Sequence, residues 1–199
     1  MSKIIDYYLT LNSPWANLGS RRFAEIAQRH GAEVRVKPVN FGDVFSRTGG
    51  LPLPKRAPER QAYRMTELKR WSAHLGIKIT LEPAFFPAQE LTAACMVIAA
   101  GETGGKPLDL AQAFGQAVWE QERDIADPET CKAVAEETGH DANALMAKAQ
   151  EPATQERHAA LTEEAVSRGI FGAPSYVYRD EIFWGQDRLD FLDRALAKE

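Results

Sequence analysis

The chain has 199 residues, enough for one sizeable domain or for one domain that carries a large insertion. Hydrophobic residues make up 44% of it and charged residues 26%, and its net charge of −4 lacks the basic excess typical of nucleic-acid or membrane-surface binders. No apolar stretch approaches the roughly 20 residues of a membrane span, and the N-terminal MSKIIDYYL lacks the pattern of a signal peptide. We therefore expect a cytoplasmic globular protein without nucleic-acid or membrane partners.

The N-terminal segment predicts a β-α-β unit. Residues 4–9 form an apolar run typical of a buried strand, and the apolar positions of 14–30 suit an amphipathic helix that ends at Gly31. Residues 33–39 alternate and are rich in valine, which predicts a second strand parallel to the first.

The rest of the chain changes character twice. Residues 41–58 are dense in Gly and Pro and predict a loop, whereas nearly all of 59–168 predicts helix, with room for five or six helices between the prolines and glycines. Strand character returns at 175–178 and 182–184, and 187–197 closes the chain as a helix.

This order of elements predicts an α/β fold. A β-α-β unit and a β-β-α unit, separated by an all-helical segment, are the plan of a thioredoxin-like domain that carries a large helical insertion. We assign residues 1–45 plus 166–199 to the thioredoxin-like domain and residues 46–165 to the helical insertion.

The segment NSPWA (residues 12–16) lies where the first strand meets the first helix. Ser13 can cap the helix and Pro14 can be its first residue, which needs no further function. Thioredoxin-like oxidoreductases place a Cys-x-x-Cys motif at this junction, where the helix dipole favours a thiolate. Here no sulfur is present, so disulfide exchange at this site is excluded, but the Ser13 hydroxyl can still hold the thiolate of another molecule.

The segment GIFGAPSYVY (residues 169–178) is the second candidate site. In a thioredoxin plan, Pro174 begins the strand opposite the active helix with a cis peptide bond, and the backbone of Ala173 faces Ser13. Since only about 5–6% of X-Pro bonds in folded proteins are cis, a trans turn at Pro174 is the alternative.

The remaining chemistry-bearing residues predict no further centre. Cys95 and Cys131 match no zinc or redox spacing, so we interpret them as reduced structural thiols. The four histidines share no metal-ligand spacing, and no metal is expected.

Four motifs, taken together, resemble a known group of proteins. They are SPWANLG near the start, VWEQERDIADPE at 118–129, GIFGAPSYV at 169–177 and FWGQDRLDFL at 183–192. In order and spacing they resemble the DsbA-like group and, within it, the 2-hydroxychromene-2-carboxylate isomerase family, with kappa-class glutathione transferases as near relatives. The resemblance spans the full length, and it implies a glutathione-dependent homodimer whose thioredoxin domain carries a helical insertion.

The resemblance also implies how glutathione is bound. Ser13 corresponds to the serine that activates the glutathione thiol, and Ala173, before the cis proline Pro174, pairs its N–H and C=O with the cysteinyl unit.

The same resemblance implies contacts for the two ends of the tripeptide. Gln186 and Asp187 receive the γ-glutamyl carboxylate and ammonium respectively, although Asp187 can also be a helix cap. Arg60 lies near the family's basic residue for the glycine carboxylate.

Three positions depart from the family pattern. Gly50 stands where relatives often carry an asparagine that contacts glutathione, and Phe85 and Cys95 replace an asparagine and an arginine around the substrate pocket. These departures leave the second substrate open.

The resemblance implies an enzyme that acts on a small aromatic substrate. The expected activity is a cis/trans isomerase that interconverts 2-hydroxychromene-2-carboxylate and trans-o-hydroxybenzylidenepyruvate, or a close analogue, in aromatic hydrocarbon catabolism. Glutathione is its cofactor, because its thiolate adds to the substrate and leaves again. A kappa-class-like glutathione transferase, which releases the adduct, is the first alternative, and a non-catalytic thioredoxin-like binding module is the second.

Overall fold

The structure is a computed structural model and describes residues 2–198. Its strands are β1 (Ile4–Leu9), β2 (Glu33–Pro38), β3 (Ser175–Tyr178) and β4 (Glu181–Trp184). Its helices are α1 (Pro14–Arg29), α2 (Phe41–Thr48), α3 (Pro58–Leu75), α4 (Leu91–Glu102), α5 (Pro107–Trp119), α6 (Pro128–Glu137), α7 (Ala142–Ala149), α8 (Pro152–Ser167) and α9 (Leu189–Ala197), with 3-10 turns at Leu53–Lys55 and Gln186–Arg188. Within residues 2–198, no helix is long and apolar enough to cross a membrane.

The four strands form one sheet in the order β2-β1-β3-β4. β1 and β2 are parallel, with Tyr7 opposite Val36, and β3 and β4 join as an antiparallel hairpin with β3 beside β1. The predicted thioredoxin-like α/β fold is therefore confirmed, including the parallel pairing of the first two strands.

Both faces of the sheet are covered because side chains alternate along each strand. Tyr7 belongs to the larger core, where it stacks on Tyr176 with ring centroids 5.1 Å apart and lies 4.8 Å from Phe23 of α1. Tyr8 points to the opposite core, which includes Leu161 of α8. These two layers hold the β1–α1 junction rigidly in place.

The predicted loop at 41–58 is wrong in its first half, because residues Phe41–Thr48 form α2. The Asn40 side chain accepts hydrogen bonds from the N–H groups of Gly42 and Asp43, and the helix ends at Gly49 with φ +78°. Burial of Phe41 and Val44 stabilises this short helix. The high Gly and Pro content of the later residues concealed it.

The helical middle of the chain contains α3 to α8, the six helices of the predicted range. Between α3 and α4, residues 76–90 are irregular and include a cis Phe86-Pro87 bond. The proposed division into residues 1–45 plus 166–199 and 46–165 stays a prediction; its boundaries fall within α2 and α8.

Candidate active site

Ser13 occupies the N-terminal end of α1. Its backbone is extended (φ −83°, ψ 116°), and its Oγ accepts a hydrogen bond from the N–H of Ala16 at 3.2 Å. Pro14 is the first helical residue, as the sequence predicts. Ser13 is therefore the helix cap, and its hydroxyl sits in the positive field of the helix N-terminus.

Ser13 also contacts the second predicted element. Its Oγ lies 3.5 Å from the carbonyl oxygen of Ala173, to which it donates a long hydrogen bond. The Ala173-Pro174 bond is cis, so that prediction is confirmed. The sheet thus brings together two segments separated by 160 positions, because β1 and β3 are neighbours.

The loop that carries Ser13 is anchored by residues that the sequence analysis did not select. The Asn12 side chain forms two hydrogen bonds with the backbone of Ala88, at 2.9 and 3.0 Å. The partly buried Glu90 carboxylate accepts hydrogen bonds from the Asn12 N–H and from the Thr10 hydroxyl, and desolvation raises its pKa. No local sequence pattern predicts these contacts, because the partners are more than 70 positions apart.

Gln186 and Asp187 follow β4 at the other side of Ala173. The N–H of Gly185, whose φ is +99°, donates to the Pro174 carbonyl at 2.8 Å and so ties this turn to the cis proline. Gln186 is buried and forms part of a 3-10 turn, whereas Asp187 is more exposed and pairs with Arg188 at 2.7 Å.

Arg22 of α1 determines how the Gln186 amide is oriented. Its Nη2 donates to the main-chain oxygen of Gln186 at 2.8 Å and also to the side-chain Oε1. Since a guanidinium is only a donor, Oε1 must face Arg22, and the Gln186 NH₂ group stays available as a donor to an anion. Arg22 itself forms no ion pair within the described residues 2–198.

Two adjoining cavities lie beside this arrangement. The first, about 380 Å³, is lined by Trp15, Tyr63, Glu67, Trp71, Ala173 and the turn 184–188. The second, about 440 Å³, shares Trp15, Tyr63 and Glu67 with the first and adds four residues of the α3 region: Arg56, Glu59, Arg60 and Arg64. Residues of α3 therefore face Trp15 and Ala173 across these cavities, and the predicted residue Arg60 lines the second one, whereas Ser13 lines neither.

Gly50, Phe85 and Cys95, the three positions that depart from the family pattern, lie in different environments. A Cβ at Gly50 would lie 2.4 Å from the Phe45 ring, so a larger side chain requires that ring to move. Cys95 is fully buried in the core, and burial raises its pKa to about 11, so it is a structural thiol and not a pocket residue. Cys131 is also buried, whereas Phe85 is exposed.

The histidines have local partners or modest burial. His30 pairs with Asp193 at 2.6 Å, and His140 contacts the Thr138 hydroxyl at 2.9 Å. Burial lowers the pKa of His158. Among residues 2–198, no group of three or more His, Cys, Asp or Glu side chains is placed to hold a metal ion.

Comparison with known proteins agrees with this geometry. Residues 4–197 match the family described as DSBA-like thioredoxin domain. The chain is 31% identical to a 2-hydroxychromene-2-carboxylate isomerase from Sphingobium xenophagum, with 98% of this chain and 99% of the relative covered. It is 23% identical to human glutathione S-transferase kappa 1, with 100% and 93% covered.

A solved structure of 2-hydroxychromene-2-carboxylate isomerase is similar in three dimensions, with a TM-score of 0.84 and 26% identity over 98% of this chain and 95% of that one. The order of elements, the cis proline beside the α1 N-terminus and the full-length matches all agree. The chain therefore belongs to the DSBA-like thioredoxin domain family.

Proposed function

We propose that this protein is a glutathione-dependent isomerase that interconverts 2-hydroxychromene-2-carboxylate and trans-o-hydroxybenzylidenepyruvate, or a close analogue. The observation that carries the proposal is the placement of the Ser13 hydroxyl at the N-terminus of α1, beside Ala173 and its cis proline. The names of the full-length relatives support the same reaction. We further propose that it acts as a cytoplasmic homodimer in aromatic hydrocarbon catabolism.

The chemical task of the site is to ionise a thiol. A free thiol with a pKa of about 8.5 is only a few per cent thiolate at pH 7, and lowering that pKa by about two units takes ~2.7 kcal/mol. Ser13 is suited to this because its proton is held only by a long 3.5 Å contact, while its Oγ accepts from the Ala16 N–H. The hydroxyl hydrogen can turn to an incoming sulfur while the helix N–H continues to polarise the oxygen.

The tripeptide would lie across the two cavities. The Ala173 N–H and C=O and cis Pro174 would receive its cysteinyl unit, with the sulfur at Ser13. Gln186 would donate its NH₂ group to the γ-glutamyl carboxylate, and Asp187 would accept from the ammonium. Arg60, in the adjoining cavity, would bind the glycine carboxylate.

The reaction is a reversible conjugate addition. The thiolate forms a C–S bond to the conjugated double bond of the ring-opened keto acid, and the π electron pair moves onto the carbonyl oxygen as an enolate. The former double bond then rotates as a single bond. When the enolate collapses, the C–S bond breaks, the double bond re-forms with the other geometry, and glutathione is regenerated.

The main competing proposal is a kappa-class-like glutathione transferase, which the similarity to the human kappa enzyme favours. A turnover experiment with substrate and a known amount of glutathione separates the two. We expect isomer to accumulate over many turnovers while free glutathione stays constant. Consumption of one glutathione per product would establish the transferase, and absence of glutathione binding would leave a non-catalytic thioredoxin-like module.

A further inference from the structure

Arg64 of α3 is a cation without a counter-charge among residues 2–198. Its guanidinium lies 5.8 Å from the ring centroids of both Phe86 and Trp119, which are themselves 4.9 Å apart. Its polar contact within the described chain is to the Met65 sulfur at 3.7 Å, and it forms no ion pair among residues 2–198. Arg64 is half-buried, and burial together with the nearby charge of Arg56 lowers its pKa.

The neighbouring charges increase the demand for an anion. Arg56 and Arg60 line the same cavity, together with the carboxylate Glu59, and none of these three residues forms an ion pair among residues 2–198. Glu67, which also lines it, is already engaged by Arg70 at 2.6 Å. The three arginines of this cavity outnumber its two carboxylates, and a partly desolvated guanidinium is costly to retain unless a ligand supplies negative charge.

The surroundings of Arg64 define the kind of anion. A guanidinium binds either a carboxylate or a phosphate through two parallel hydrogen bonds, so the groups around it decide between the two. Aromatic rings flank the site, since Trp15 and Tyr63 line the cavity and Phe86 and Trp119 contact the guanidinium. Such walls suit a flat aromatic acid.

The site is also close to the thiol-binding position. Trp15, which lines the cavity with Arg64, comes two residues after Ser13. Phe86 comes two residues before Ala88, whose backbone is hydrogen-bonded to Asn12, the residue before Ser13. The cavity that Arg64 lines therefore adjoins the loop that carries Ser13.

We propose that Arg64 binds the carboxylate of the second substrate, an aromatic or aryl-conjugated acid, and so selects carboxylates over neutral aromatic compounds. The inference rests on the proposed function, which supplies an acidic aromatic substrate. It assigns a charged anchor to the cavity that Arg64 lines with Trp15 and Tyr63.

The test uses an unreactive pair of probes, 2-naphthoate and its neutral amide 2-naphthamide, titrated calorimetrically with glutathione present. Wild type should bind the acid at least about tenfold more tightly than the amide, because a charge-assisted hydrogen bond contributes a factor of that size. Arg64→Met should remove this preference for the acid. Arg64→Lys keeps the positive charge but cannot form two parallel hydrogen bonds, so it should retain part of the preference. Arg35→Met, at an exposed arginine on β2, is the control.

Three results would overturn the inference. They are a wild type without the preference, an Arg64→Met variant that keeps it, and an Arg64→Met variant whose main defect is weaker glutathione binding. In the last case Arg64 serves the tripeptide and not the second substrate. Failure of the proposed function is separately visible, since a protein that binds no glutathione can still be titrated with the two probes. Thermal melting should show Arg64→Met folded, because methionine fills the same apolar space without a buried charge.

Discussion

Replacing Ser13 by alanine separates the capping role of its hydroxyl from the proposed catalytic role. The change removes the acceptor of the Ala16 N–H, a capping loss of about 1 kcal/mol in unfolding free energy. It also removes the one side-chain hydroxyl at the α1 N-terminus that contacts Ala173. The bound glutathione thiolate would then keep the helix dipole but lose its hydroxyl donor.

The size of the catalytic effect follows from that lost donor. A hydrogen bond to a charged group contributes about 1.5 to 3 kcal/mol, so a loss of about 2 kcal/mol raises the thiol pKa by about 1.5 units. If the wild-type pKa is about 6.5, the thiolate fraction at pH 7 falls from about three quarters to about one tenth. We expect an approximately eightfold loss of turnover at pH 7 that is largely recovered near pH 9, since the thiolate then forms without help.

The assay is the pH profile of thiolate ultraviolet absorbance with glutathione bound, for wild type and Ser13→Ala. Asp141→Ala is a matched control because Asp141 caps α7 by accepting from the Ala144 N–H at 2.9 Å, so it loses a helix cap of the same kind elsewhere. Superimposable profiles for wild type and Ser13→Ala would show that Ser13 is a cap only. An equal rise in the Asp141→Ala variant would also refute the reasoning.

Three further predictions concern glutathione selectivity, pH and stability. Arg22→Met should release the Gln186 amide and weaken glutathione binding, measured by calorimetry, about tenfold. Binding of an analogue that lacks the γ-glutamyl α-carboxylate should change little, and equal losses for both ligands would contradict the orienting role of Arg22. Burial lowers the folded-state pKa of His158, so the unfolded state takes up a proton first as the pH falls below about 6.5, and the free energy of unfolding should decrease. In urea unfolding, the decrease between about pH 7 and about pH 5 should be smaller for His158→Gln than for wild type, and equal decreases would contradict the prediction. Lys37→Met should destabilise the protein by about 1 to 3 kcal/mol in urea unfolding, because it removes a partner 2.9 Å from the partly buried Asp6; an unchanged midpoint would show that Arg168 compensates.

Local signals were sufficient wherever one short segment decides its own structure. The alternation at 33–39, the apolar run at 4–9 and the Ser13-Pro14 pair predicted the β-α-β unit and its cap correctly. These features depend on backbone hydrogen bonds and side-chain periodicity within a few residues. The cis bond at Pro174 was predicted correctly from its motif. The binding roles of Ser13, Arg60, Ala173, Pro174, Gln186 and Asp187 stay predictions.

The tertiary structure decided everything that depends on distant partners. Helix α2 formed in a segment rich in breaking residues because packing buried Phe41 and Val44. No local sequence pattern predicts the contact between Arg22 and Gln186, because these residues are 164 positions apart. The sequence alone does not distinguish Arg64 from the other arginines of α3. Only the packing of Phe86 and Trp119 against Arg64 partly desolvates a charge that forms no ion pair among residues 2–198. Desolvation is a property of the assembled fold, since it depends on which distant side chains exclude the solvent.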